Sequence, residues 1–142
     1  MDPEALKWDL NTTQCPDEYV GQFDIVSNHG TTEHLLGQVN SFKLMHDLMK
    51  VGGISIHVLP CLEVNHGFFS YSPVLFNCLA EQNDYEIVGF YISPCMHSSQ
   101  LMTLTPYTGT VSIYPCYVHS ILKKTNNDEF KIPLQIFKNG AK

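Results

Sequence analysis

The sequence contains no arginine: all eight of its basic residues are lysines. A bidentate guanidinium clamp for phosphate or carboxylate is therefore excluded. Charge of either sign is scarce, at 15% of residues, against about 25% in an average soluble domain. The balance is acidic, with a net charge of −6, which speaks against an electrostatic grip on nucleic acid. No apolar run reaches the ~18–20 residues that cross a bilayer. Met1–Leu10 lacks the basic start and apolar run of a secretory signal, so no membrane role is expected, and the nucleus or cytoplasm is the expected compartment. Also missing are GxSxG, a P-loop, GxGxxG and HExxH.

What is present is apolar. Hydrophobic residues make up 44% of the 142 positions, too many for a disordered chain and enough for one cored domain. So little surface charge points to a surface that a partner covers. The five cysteines, Cys15, Cys61, Cys78, Cys95 and Cys116, are odd in number and show no CxxC pair. In a reducing compartment they read as free thiols, several packed as small hydrophobes.

Half of the fourteen acidic residues lie within the first 33 positions. Residues 1–18 are expected to form a flexible acidic arm, with Trp8 and Leu10 available for docking, and residues 19–142 a single domain. Within it, Tyr19–Val26 predicts a first strand, Ser27–Gly30 a turn, and Leu35–Val39 a short second strand. Phe42–Val51 fits a short amphipathic helix or a disturbed strand. Ile54–Val64 alternates and is rich in β-branched residues, which predicts a strand interrupted at Pro60. Ser72-Pro73 starts a helix, with serine as N-cap and proline in the first turn, and Leu75, Phe76 and Leu79 form its buried stripe to about Asn83. Glu86–Ile92 reads as a strand buried on both faces. Leu101–Leu104, Val111–Val118 and Phe130–Phe137 are strand-like, while His119–Leu122 is apolar without a clear period. The sum is an α/β domain: a mixed sheet flanked by helices.

Three echoes, Leu59-Pro-Cys61, Ser93-Pro-Cys95 and Tyr114-Pro-Cys116, read in two ways. They are either a thiol or metal cluster with His66, His97 and His119, or strand ends where proline precedes a buried cysteine. Metal-binding cysteines usually come in tight pairs, which favours the second. A cysteine enzyme built on Cys95, His97 and His119 stays as the alternative from another class. From Ile87 to Leu122 the chain holds no Asp, Glu, Lys or Arg, so this stretch supplies no carboxylate base or ligand.

Ile87-Val-Gly-Phe-Tyr91 followed by His97-Ser-Ser-Gln-Leu-Met-Thr103 resembles the Abraxas branch of the MPN-domain proteins, where Val-Val-Gly-Trp-Tyr precedes His-Ser-Asp-Gln-Ile-Met-Thr. Thr32-Glu-His-Leu-Leu-Gly-Gln-Val39 is similar to the family's Thr-Glu-Gly-Phe-Leu-Leu-Gly-Glu-Val. Leu59-Pro-Cys61 and Phe68-Phe-Ser-Tyr71, then Val118-His-Ser-Ile-Leu122 and Lys131-Ile-Pro-Leu134, follow in the family's order. The likeness spans roughly Tyr19 to Lys138.

The resemblance implies an MPN/JAB-like fold whose metal site is emptied. In the active isopeptidases two histidines and an aspartate hold zinc, and an upstream glutamate is the general base. The alignment puts Ile92 and Pro94 at the histidine positions and places the aspartate near Thr105. Glu33 or Glu63 would be a relic of the base. No catalytic residue, no metal and no cofactor is expected. What remains is a scaffold subunit that pairs, as a hetero-oligomer, with a JAMM-type isopeptidase for lysine-63-linked ubiquitin. The aromatics Phe68, Phe69, Tyr71, Tyr107 and Tyr117 are the expected partner-binding residues. Abraxas-type subunits continue into a coiled coil, and these 142 residues hold no heptads. A binding module with no link to ubiquitin is therefore a further alternative.

Overall fold

The computed structural model describes residues 5–63, 65–94, 103–111 and 115–135. A first strand, β1 (Phe23–His29), leads through a 3-10 turn at Thr32–His34 into helix α1 (Gln38–Leu48) and strand β2 (Met49–Pro60). Helix α2 (Pro73–Asn83) follows, then β3 (Glu86–Pro94), the two-residue β4 (Thr105–Pro106) and β5 (Cys116–Lys123). The strands form one five-stranded sheet in the order β1-β2-β5-β3-β4. β1 and β2 are parallel, and the other pairs are antiparallel. A parallel neighbour needs a crossover rather than a hairpin, and α1 supplies it.

The alternation of β2 sets the inner face. Ser55, His57 and Leu59 are buried and stand opposite Leu122, Ser120 and Val118 of β5. Leu59, Val118 and Leu122, with Ile92, Cys61 and Cys116, form one core with Phe42 from α1 and Phe76, Leu79 and Ala80 from α2. α2 follows its sequence signals: the Ser72 side chain accepts from the Val74 N–H, Pro73 occupies the first turn, and Asp84 ends the helix at φ 51°. Its stripe buries Phe76 and Leu79, with Leu75 half-buried.

Several boundaries differ from expectation. The first strand starts at Phe23 rather than Tyr19, because Tyr19 closes a 3-10 turn and the Gly21 N–H goes to Asp47 O at 2.7 Å, outside any ladder. It runs through the expected turn, pairing Ser27–His29 with Ile56–Val58. Leu35–Val39 is not a strand: Gln38 Nε2 donates to Thr32 O and Leu35 O, both at 2.6 Å, and α1 begins there. Met49–Val51 belongs to β2, which ends at Pro60; Val64 is outside the described residues.

β3 is not buried on both faces, since Ile87 is 42% and Val88 53% exposed, next to a register shift between Ile87 and Gly89. Of the expected Val111–Val118 strand, Cys116–Val118 belong to β5, which continues through the ambiguous His119–Leu122; Val111 and Pro115 lie outside the strand, and residues 112–114 lie outside the description. Thr103 and Leu104 are exposed and carry no strand, while residues 101–102 are outside the description. Residues 130–135 form no strand. There the Asn83 side chain takes the ladder's place, donating to Lys131 O (3.0 Å) and accepting from Lys131 N–H (2.8 Å). Residues 136–137 are not described.

The segment expected to be a flexible arm makes specific contacts. Asn40 Nδ2 donates to Leu10 O and Thr13 O, and Ser41 Oγ to Leu10 O. Trp8 meets Tyr19 edge-on at 5.5 Å.

Buried polar groups lock the crossover. Lys124, 2% exposed, donates from Nζ to His46 O (2.9 Å) and Met49 O (3.2 Å), capping the carboxyl end of α1. Burial lowers its pKa. His46 Nε2–H donates to Asp128 O (2.9 Å), which fixes the tautomer, so Nδ1 accepts from the Tyr85 hydroxyl (2.6 Å). His57 lies in the core between Phe42 and Phe76, with Nε2 at 3.1 Å from Ser55 Oγ and Nδ1 unpartnered. Burial, reinforced by His29, pushes its pKa down to about 3.

Two outcomes are expected. His57 is neutral when folded and titrates near 6.5 when unfolded, so between pH 6.5 and pH 3 the unfolded chain binds the extra proton. Stability is full above that window and falls as pH drops through it, by about 2 kcal/mol from pH 7 to pH 5 for this residue alone. Urea denaturation at the two pH values measures the drop, and H57L flattens it. K124M leaves two helix-end carbonyls without their buried cation and lowers stability by about 2–3 kcal/mol in the same assay.

Candidate functional site

A cleft of about 350 Å³ opens between α1, the start of α2, the loop before α2 and the 130–133 segment. Its walls are mostly apolar: Val39, Phe42, Phe69, Leu75, Phe130 and Ile132. Polar atoms enter from Gln38 and from the serines flanking Tyr71. The rim is unusually apolar for a surface, with Val39 48% and Ile132 62% exposed.

Tyr71 is the cleft's anchor. Its ring is buried, meeting Phe42 and Phe76, and its hydroxyl is hydrogen-bonded to Gln38 Oε1 (2.7 Å) and Thr32 Oγ1 (2.9 Å). Burial raises its pKa, so it stays a phenol. Thr32 in turn accepts from Asn28 Nδ2 at 2.8 Å.

The five aromatics expected at a partner surface fall in different places. Phe69 and Tyr71 line the cleft. Phe68 projects from the same loop with 70% exposure. Tyr107 packs against Phe90, ring centroids 4.9 Å apart, and its N–H donates to Phe90 O. Tyr117 is half-buried on β5, between Pro60 and Ser93 in register. Only Phe69 and Tyr71 are brought together.

The positions assigned by resemblance to the zinc ligands belong to the core and to the sheet ladder. Ile92 is part of the core, and Pro94 lies opposite Cys116. Thr105 is exposed in β4, opposite Ile92. Two of the three Pro-Cys echoes do meet: Cys61 N–H donates to Cys116 O at 2.8 Å. Burial and the neighbouring Cys116 push the Cys61 thiol up to about 12, so it is protonated and a poor nucleophile or ligand. His119 is engaged with Ser93 Oγ at 2.8 Å, and Cys95 and His97 lie outside the described residues.

Among the described residues, Glu33, His34 and His66 form a group able to hold a metal ion. Glu33 Oε1 lies 3.5 Å from His66 Nε2 and 3.8 Å from His34 Nε2. Glu33 is fully buried, and neither carboxylate oxygen has a hydrogen-bond partner. Of the three, the resemblance marks Glu33 alone; nothing in the sequence around His34 or His66 links either histidine to it. The one local signal is the pair of glycines, Gly30 and Gly67, that make room for the carboxylate.

No helix among the described residues is long and apolar enough to cross a membrane. Compared with protein-family models, with curated proteins and with solved structures, the chain matches none.

Proposed function

We propose that this chain is a non-catalytic scaffold subunit with an MPN-like fold, whose apolar cleft docks a second protein, a metal-bearing isopeptidase of the JAMM type. The observation that carries the reading is the exposed apolar wall, Val39 with Ile132, in a cleft that holds no charged side chain. Desolvating such a rim on association is favourable, and aromatic anchors such as Phe69 and Tyr71 suit the centre of an interface. A mixed sheet with one parallel pair and two helices is compatible with the fold that the resemblance implies. Ile92, Pro94 and Thr105 at the ligand positions support loss of the family's hydrolytic chemistry, since none of these side chains ligates zinc. The raised Cys61 thiol argues against a cysteine nucleophile at the paired Pro-Cys sites.

Affinity purification of the tagged full chain tests the reading. The wild type is expected to recover a JAMM-type isopeptidase in equal amount, and V39E and I132E, both at exposed positions, to lose it. A charge in a desolvated interface costs roughly 2–4 kcal/mol, about 30-fold or more in affinity. Thermal stability of both variants stays near wild type. Recovery of an unrelated partner, or retention of the isopeptidase by both variants, overturns the proposal.

A further inference from the structure

We infer that Glu33, His34 and His66 form a binding site for one divalent transition-metal ion of the zinc class, distinct from the ligand positions Ile92, Pro94 and Thr105 that the resemblance assigns. The first observation is an electrostatic deficit. A fully buried carboxylate with two unpartnered oxygens is costly unless a cation neutralises it. No lysine supplies that charge, since the lysine ion pairs among the described residues are with Asp47, Asp24, Glu86 and Asp128.

The second observation is geometric. Tetrahedral ligands at about 2.0–2.1 Å from zinc stand about 3.3 Å apart. The Glu33 oxygen and the two histidine nitrogens already lie within 4.8 Å of one another, with the oxygen at 3.5 and 3.8 Å from the nitrogens. Small side-chain rotations close that gap. The two imidazoles are edge-to-face at 5.2 Å, as separate ligands rather than a stacked pair.

The backbone is arranged around the carboxylate. Phe68 N–H (2.6 Å) and Phe69 N–H (3.2 Å) both donate to Glu33 O, clamping the loop that carries His66 onto the turn that carries Glu33. Gly67 has φ +67°, and a Cβ there would lie 2.8 Å from Glu33 Cγ. A Cβ on Gly30, at φ +61°, would lie 3.3 Å from Glu33 Oε1. Both glycines therefore serve a close approach and a left-handed turn at once. Asn28 fixes the turn from behind, its Oδ1 accepting from Thr32 N–H and its Nδ2 donating to Thr32 Oγ1.

Placement in the fold agrees. Glu33 follows the carboxyl end of β1, and His66 follows that of β2, the parallel pair. Loops beyond the carboxyl ends of parallel strands are where open α/β sheets hold their ligands. The His34 and His66 side chains are 51% and 36% exposed, so an ion reaches the site from solvent and keeps a fourth position open to water. One carboxylate with two imidazoles selects a borderline ion such as zinc over calcium or magnesium, which need more oxygen ligands.

Cobalt(II) is the probe, titrated into the full chain. The expected result is saturation at one equivalent, with the strong visible absorption of a four-coordinate site, removed by added zinc. H34A and H66A, at exposed side chains, should each weaken binding about tenfold or more while their circular dichroism matches wild type. H29A, at an exposed histidine of β1, should bind as wild type does. E33Q should abolish the signal, and the two histidine variants keep the test decisive if E33Q fails to fold. Absence of the four-coordinate spectrum, or binding unchanged in both H34A and H66A, overturns the inference: the histidines would then be no more than solvent-facing neighbours of the carboxylate.

Discussion

The parallel pairing of β1 with β2 is the constraint from which the rest of the structure follows. Parallel neighbours cannot be joined by a hairpin, so the chain leaves β1, turns through Thr32–His34 and crosses by α1 before it re-enters the sheet. The crossover lays α1 on one face and gives Phe42 its place in the core. It also directs the turn after β1 and the loop after β2 to the same end of the sheet. Glu33 and the Phe68–Tyr71 stretch come together for that reason, although more than thirty residues separate them.

A crossover is stable only if its ends are held, and here polar groups hold them. Lys124, just beyond β5, caps the end of α1, while its N–H and C=O pair with Gly53 and Gly52. One residue therefore ties the central strand, the helix and the start of β2 together. His46 and Asn83 do the same for the 128–131 segment, through Asp128 O and the backbone of Lys131. That segment forms the far wall of the cleft with Phe130 and Ile132. The fold thus relies on buried hydrogen-bonding side chains where another would use longer strands. Each would leave orphaned partners if removed, which makes them exacting positions.

This explains what was legible in the sequence. α2 announced itself because its signals are local: a serine cap, a proline in the first turn and an apolar stripe. β2 was legible from its β-branched alternation. Leu35–Val39 misled because two leucines followed by Gly-Gln-Val mimic a strand, whereas Gln38 turns inward and binds the backbone carbonyls a ladder would use. Phe130–Gln135 has the strand pattern without a strand neighbour, its hydrogen bonds going to a side chain from α2. β5 was divided because His119 and Ser120 break its apolar run; both are buried, and His119 pairs with Ser93. Of the sites, Phe69 and Tyr71 were legible as aromatics near one another in the chain. The Glu33 group was not, because nothing local to His66 indicates that its loop returns to the turn after β1.

The cleft and the Glu33 group are physically joined. Phe69 uses its backbone N–H on Glu33 O and its side chain on the cleft wall. Tyr71, two residues on, lines the same wall and is hydrogen-bonded to Thr32, the residue before Glu33. Gln38 closes the circuit, contacting Tyr71 through Oε1 and Thr32 O through Nε2 while lining the cleft. Whatever orders the 66–71 loop against the Glu33 turn therefore also sets the position of the cleft's aromatic wall. An ion held by Glu33 and His66 and a protein seated on Phe69 would each favour the same loop conformation. By linkage, each would tighten the other's binding by one common factor. On this geometry the loop from His66 to Tyr71 is the element that the two proposed sites share.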